Sequence, residues 1–193
     1  ERADCVTHNI ERSSMLILIV AAIEGQDVAM ADVAGAFLKV DMDVFVLMKL
    51  EGGTVDIMCE LDPSLKDFIC LDNGKRVLYM QLIKALYWCV QSALLWYKLL
   101  STTLVGMGFQ LNPYHLCIGN AIINGKQCTI TWYFDNDIIT HVDPNVVTSI
   151  IDKIEEKFGK IAVTRGNSHE FLGMKINFQE DKTVTILMEG YIK

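Results

Sequence analysis

Two aspartates stand at the ends of apolar runs: Asp32 in Met30-Ala31-Asp32-Val33, and Asp135 in Trp132-Tyr133-Phe134-Asp135. Strand ends are rigid platforms. If the two strands are neighbours in one sheet, the carboxylates converge into a site for hard divalent cations, which take oxygen ligands. Two such ions, roughly 3.5–4 Å apart, activate an attacking hydroxyl and stabilise a leaving pyrophosphate in line. Taken by spacing alone, the pair also fits two solvated turn aspartates, because turns are where Asp is commonest. Other chemistry is weakly encoded. Cys5-x-x-His8 is half a zinc pattern without a second half nearby. His115, His141 and His169 have no sequence-adjacent acid and nucleophile to suggest a triad, and read as solvated or core histidines.

Several elements must position the two acids. Ser13 to Ile23 lacks a breaker and ends at Glu24-Gly25, which predicts a helix; Asp27 to Val33 reads as a strand. Val44 to Leu50 alternates as a half-buried strand, with Ile57 to Leu61 a candidate partner across Glu51 to Asp56. Asp72-Asn73-Gly74-Lys75 is a turn, and Arg76 to Leu82 alternates after it. Gln91 to Met107 has a wide apolar face of Leu95, Trp96, Leu99 and Leu100, a helix core rather than a base-stacking platform. Leu116 to Ile118, Gln127 to Phe134 and Ile138 to Val142 read as strands, the last two joined by an acidic turn at Asp135-Asn136-Asp137. Asp143-Pro144 supplies N-cap and N1 chemistry for a helix through Phe158. Glu170 to Phe178 and Thr183 to Met188 read as closing strands.

The composition, 51% hydrophobic and 21% charged with 3 prolines and 13 glycines in 193 residues, is that of a globular chain. No repeat or linker divides it, so one compact α+β unit with helices packed on an antiparallel sheet is expected. The net charge of -7 is the wrong sign for a self-sufficient nucleic-acid binder, although it leaves room for an enzyme whose metal site needs clustered acids. Met15 to Ile23 is too short to span a bilayer, and no membrane role is expected. The six cysteines, Cys5, Cys59, Cys70, Cys89, Cys117 and Cys128, form no C-x-x-C pair; they read as reduced core residues of an intracellular protein that is not secreted.

The order of these pieces resembles the reverse transcriptase of copia-type retrotransposons over nearly the whole chain. Asp32-Val33-Ala34-Gly35-Ala36-Phe37-Leu38 is similar to the first catalytic motif, an aspartate, three residues, then Ala-Phe-Leu. Lys84 to Ala93 (KALYWCVQSA), continuing to Trp96-Tyr97, resembles the family's Lys-Ser-Leu-Tyr-Gly-Leu-Lys-Gln-Ala-Pro segment with its trailing Trp-Tyr. Tyr133-Phe134-Asp135-Asn136 stands in the place of the Tyr-x-Asp-Asp box, Phe171-Leu172-Gly173 resembles the Phe-Leu-Gly segment before the thumb, and Tyr191-Ile192-Lys193 its entrance.

The resemblance implies a reverse-transcriptase palm, a ferredoxin-like antiparallel sheet backed by helices, with a partial fingers insertion. Residues 1–43 would carry the first catalytic strand and its preceding helix, 44–83 fingers-like strands, and 84–193 the rest of the palm to the start of the thumb. It implies RNA-directed DNA polymerase activity, with Asp32 and Asp135 binding two Mg2+ (or Mn2+) ions, the Val33 backbone beside them, and Ala34, Gly35 and Ala36 lining the triphosphate. Phe37 falls where the family places an aromatic gate against a ribose 2′-hydroxyl, and Gln91 matches a glutamine near nucleotide and template. Their plain alternatives are a core phenylalanine and an ordinary polar helix start. Implied partners are an RNA or DNA template-primer, deoxynucleoside triphosphates and the remaining polyprotein segments: integrase, thumb and ribonuclease H. The implied setting is the cytoplasm or a virus-like particle.

Departures from the pattern predict weak or absent activity. Asn136 replaces the second aspartate of the box with a neutral amide, and Asp137 cannot substitute, because a one-residue shift along a strand re-aims a side chain to the other face. Trp88 replaces a glycine and is expected to obstruct the approach of a ligand, while Leu94 removes a basic residue. With most of the fingers and the thumb and ribonuclease H segments missing, the sequence reads as an internal piece of a polyprotein or a decayed genomic copy. The second reading is a catalytically silent palm-fold relic with a structural or interaction role. The third is an unrelated ferredoxin-like binding module.

Overall fold

The computed structural model describes residues 10–188. The Cys5-x-x-His8 pair, read as an incomplete zinc pattern, and the expected thumb entrance at Tyr191 to Lys193 lie outside them. The chain is α+β, and every strand pairing within its three sheets is antiparallel. Its centre is a six-stranded sheet. In chain order the strands are β1 (Asp27–Val33), β5 (Gln110–Leu111), β6 (Ile118–Ile123), β7 (Lys126–Tyr133), β8 (Asn136–His141) and β9 (Ile161–Arg165), arranged β5-β6-β7-β8-β1-β9. β1 thus lies beside β8, the strand that follows Asp135, which brings the two acids to the same end of neighbouring strands.

Both faces of this sheet are covered, and strand periodicity decides which residue goes where. Ala29, Ala31 and Val33 of β1 join Trp132 and Ile139 in a core under α3 (Ser92–Gly106) and α4 (Pro144–Phe158). Val28 and Met30, one step out of phase, join Ile138 against Leu18 and Ala21 of α1 (Ile10–Glu24) and the strands that close the chain. α4 starts as its sequence dictates: Asp143 Oδ1 accepts the Asn145 amide at 2.9 Å and Pro144 opens the first turn. Its buried stripe, Val147, Ile150, Ile151, Ile154 and Phe158, recurs every three or four residues. Burying each such side chain stabilises the fold by about 1.5–3 kcal/mol.

β6 overlaps the expected Leu116 to Ile118 strand only at Ile118 and β5 lies outside the expected strands, and three further elements depart from the sequence reading. Gly53–Leu61 is a helix, α2, and not a strand. Val55, Ile57 and Cys59 alternate on paper, but Val55 and Cys59, four apart, are the buried pair against Leu78, while Ile57 is 58% exposed. α2 packs on a separate sheet of β2 (Leu47–Glu51), β3 (Cys70–Asp72) and β4 (Lys75–Gln81), ordered β2-β4-β3. The span expected as one strand from Glu170 is a hairpin, β10 (Ser168–Phe171) and β11 (Met174–Phe178), whose two turn residues Leu172 and Gly173 both have positive φ, and β12 (Val184–Leu187) pairs with β11. β9, outside the expected strands, has only Ile161 buried, so it carries no alternation to read; Arg165 fixes it by donating to Asp27 at 2.5 Å and Thr148 at 2.7 Å.

Cys59, Cys117 and Cys128 are buried as expected, whereas Cys70 is exposed. Burial pushes the Cys117 thiol up to about 12 and Cys128 up to about 11, which leaves both unreactive. Among the described residues no helix is long and apolar enough to cross a membrane. His141 and His169 are core histidines; the His169 ring contacts the Gly166 carbonyl at 2.7 Å.

Candidate cation and nucleotide site

The hairpin joining β7 to β8 builds the site. Tyr133 pairs directly with Asn136, so the turn consists of Phe134 and Asp135, one residue earlier than the expected acidic turn. Phe134 has a φ of 55°, the positive value that the first position of a two-residue hairpin turn requires and that glycine, asparagine or aspartate ordinarily supplies. A phenylalanine in that conformation costs about 1–3 kcal/mol. The surroundings hold it there: the Trp96 indole of α3 donates to the Phe134 carbonyl at 2.5 Å, and the Tyr133 and Phe37 rings lie 4.5 and 6.2 Å from the Phe134 ring.

The β1–β8 register then sets the carboxylates. Asp32 stands directly opposite Asn136, so these side chains share a face, and the Val33 amide donates to the Asp135 carbonyl at 2.9 Å. Partial burial and then the Asp135 charge push the Asp32 carboxyl above its usual range. Among the described residues neither acid has an ion-pair partner. Two neighbouring carboxylates without a compensating cation suit a divalent ion. Among the described residues no group of three or more His, Cys, Asp or Glu could hold a metal ion, so the donor set consists of two acids and an amide.

Asp137 lies on the other face. It pairs with Trp132 and Ala31, beneath α3 and α4, and is 1% exposed with neither oxygen hydrogen-bonded. Burial, then the charges of Asp135 and Asp32, raise its carboxyl well above the usual range. The expectation that it cannot replace a second box aspartate agrees with this register.

The residues expected on the nucleotide side are spread more widely. Ala34 is exposed, Gly35 takes a left-handed conformation at φ 64°, and Ala36 opens a single 3-10 turn through Lys39. Phe37 is only 5% exposed, its ring 4.4 Å from that of Tyr87. Gln91 is exposed just before α3 and its side chain makes no cap. Trp88, expected to obstruct a ligand, has a fully solvent-exposed side chain on a backbone held at φ 73°, a conformation that favours glycine. Trp88→Gly therefore raises the unfolding free energy by about 1 kcal/mol in urea denaturation, the strain relieved exceeding the entropy that glycine adds to the unfolded chain.

Tyr87 and Trp96 are contributors to which the sequence assigned no such role. Both lie in the segment matched to the Leu-Tyr-Gly and Trp-Tyr motif, which was the available signal. The Tyr87 hydroxyl donates to Asp135 Oδ2 at 2.7 Å, while the Asn136 amide donates to Asp135 Oδ1 at 3.0 Å. Burial and the bond to Asp135 push the Tyr87 phenol up to about 12, so it keeps its proton. A cavity of about 820 Å³ lies elsewhere, between α1 and the β5–β6–β7 end of the sheet, and none of the site residues lines it.

No family model and no curated protein matches the chain. Among solved structures it is similar to apo telomerase from Candida tropicalis truncated from its C-terminal domain, with a TM-score of 0.51 and 13% identity over 93% of this chain. A second apo telomerase structure from the same organism gives a TM-score of 0.49 at 13% identity over 92% of this chain. The chain spans 40% and 36% of those two chains. The likeness is one of fold.

Proposed function

We propose that the chain is the core of a template-directed nucleotidyl transferase, an RNA-directed DNA polymerase of the copia type, with a weakened cation site. The observation that carries this reading is the placement of Asp32 opposite Asn136, with Asp135 beside them on the β7–β8 turn. The telomerase-like fold supports a polymerase of the nucleotidyltransferase kind. In this reading Asp32 and Asp135 hold Mg2+ or Mn2+, with the Val33 backbone alongside. The bound metal supplies charge neutralisation and activation of the attacking hydroxyl. The site has oxygen donors of the right chemistry for one hard ion, and a nucleoside triphosphate would bring further oxygens for a second. Ala34, Gly35 and Ala36 offer backbone toward the phosphates, Phe37 stands at the sugar, and Gln91 faces nucleotide and template. Template-primer and the remaining polyprotein segments would supply the rest of the cleft, in a cytoplasmic or particle-enclosed setting.

A specific observation also favours the relic reading. One box carboxylate has become an amide that bonds to its neighbour, and an unpartnered acid has entered the core. Mn2+-dependent primer extension separates the two. The polymerase reading expects weak extension by the unaltered chain, stronger extension by Asn136→Asp, and none from either chain once Asp32→Ala is added. No extension by the unaltered chain or by Asn136→Asp would leave the silent palm as the account.

A further inference from the structure

We propose that Tyr87 is a positioning residue that restrains the acid pair: its phenol holds Asp135 Oδ2 and its ring covers Phe37, so the phenol weakens the hold of Asp135 on a divalent cation and screens Phe37 until it moves. The proposal rests on the reading of Asp32 and Asp135 as cation ligands.

Three observations lead to it. Both carboxylate oxygens of Asp135 already accept hydrogen bonds, Oδ1 from Asn136 at 3.0 Å and Oδ2 from Tyr87 at 2.7 Å. The proton on the phenol presents the positive end of the O–H dipole to Oδ2, fills one of its two lone-pair directions and draws on its charge, so the oxygen is a weaker ligand for a cation. Second, the Tyr87 and Phe37 rings stand 4.4 Å apart, tilted by 60°, with Phe37 5% and Tyr87 39% exposed. The aromatic surface open beside the acids is thus Tyr87, and Phe37 meets a sugar only after Tyr87 has moved.

Third, the chain around Tyr87 is anchored on both sides while one side of its ring faces solvent. The buried Ala85 donates its amide to the Val40 carbonyl at 2.9 Å, and the Ser92 hydroxyl donates to the Leu86 carbonyl at 2.7 Å. Between these anchors, residues 86–91 form turns outside any helix or strand. The ring can leave by rotation about its own side-chain bonds with the backbone kept in place.

The test is Mn2+ titration of the full chain, with free Mn2+ read by electron paramagnetic resonance. Tyr87→Phe removes one oxygen and keeps the ring over Phe37. We expect it to bind Mn2+ about tenfold more tightly than the unaltered chain, the scale of one hydrogen bond to a charged group. Tyr87→Phe combined with Asp135→Asn should bind no more tightly than Asp135→Asn alone. Affinity unchanged or weakened by Tyr87→Phe, with Asp32→Asn and Asp135→Asn still lowering it, would overturn the restraint while leaving the acid pair in place. Affinity indifferent to Asp32→Asn and Asp135→Asn would overturn the acid-pair reading itself, and this proposal with it.

Discussion

Replacing Asp137 with valine raises the unfolding free energy by about 2–3 kcal/mol, an effect that thermal and urea denaturation both register. The carboxyl is 1% exposed and neither oxygen has a hydrogen-bond partner. An unsatisfied buried polar group costs about 1–3 kcal/mol, and a β-branched apolar side chain restores both the packing and the strand preference of the position. For a chain of this size the gain corresponds to a rise in Tm of roughly 5–10 °C. The pH dependence has a fixed sign. Because the folded state holds the Asp137 proton more tightly than the unfolded state, its contribution is most favourable below the ordinary carboxylate value of 3.8. It declines as the pH rises from there through the raised folded value. The valine variant lacks this decline, so its advantage should be larger at pH 7 than at pH 4.

Asn136→Asp has the opposite balance. It places a third acid on the face of Asp32, directly across the β1–β8 pair, where Asp135 already pushes the Asp32 carboxyl upward. It also removes the amide that donates to Asp135 Oδ1. Without metal, the added repulsion lowers stability by about 0.5–1 kcal/mol, as like charges placed opposite one another on a strand pair do. With metal, an added anionic oxygen ligand tightens binding roughly tenfold to a hundredfold. Calorimetric titration with Mn2+ and denaturation with and without the ion check both parts. Stability should cross from below the unaltered chain to above it as Mn2+ is added.

What could be read in the sequence was whatever one periodicity or one cap encodes locally. β1 was legible because Val28 to Val33 form a continuous apolar run, buried on both faces, that only Asp32 interrupts. α4 was legible from Asp143-Pro144 and its stripe. α2 was missed because Ile57, Cys59 and Leu61 alternate, while Val55, the helical partner of Cys59, falls in the stretch read as the connection. β9 was missed because an edge strand held by Arg165 needs no apolar alternation.

At the site, the one-residue rule for strands placed Asp137 on the wrong face for a metal, although nothing in a single sequence says that it is buried without a partner. The Tyr87 contact with Asp135 joins residues 48 positions apart and depends on the path of the chain between β4 and α3, which no local pattern specifies. Trp88 was legible as a departure from glycine, whereas the positive φ of its backbone was not, because that follows from the path of the chain into α3.

The central claim is that Asp32 and Asp135 share a divalent cation. Paramagnetic broadening by substoichiometric Mn2+, followed residue by residue in the amide spectrum of the full chain, addresses it most directly. The account predicts broadening centred on the amides of residues 32–36 and 134–136, lost in the Asp32→Asn, Asp135→Asn double variant. Broadening centred instead on other acids, such as Asp41 and Asp43, or unchanged in the double variant, would contradict it.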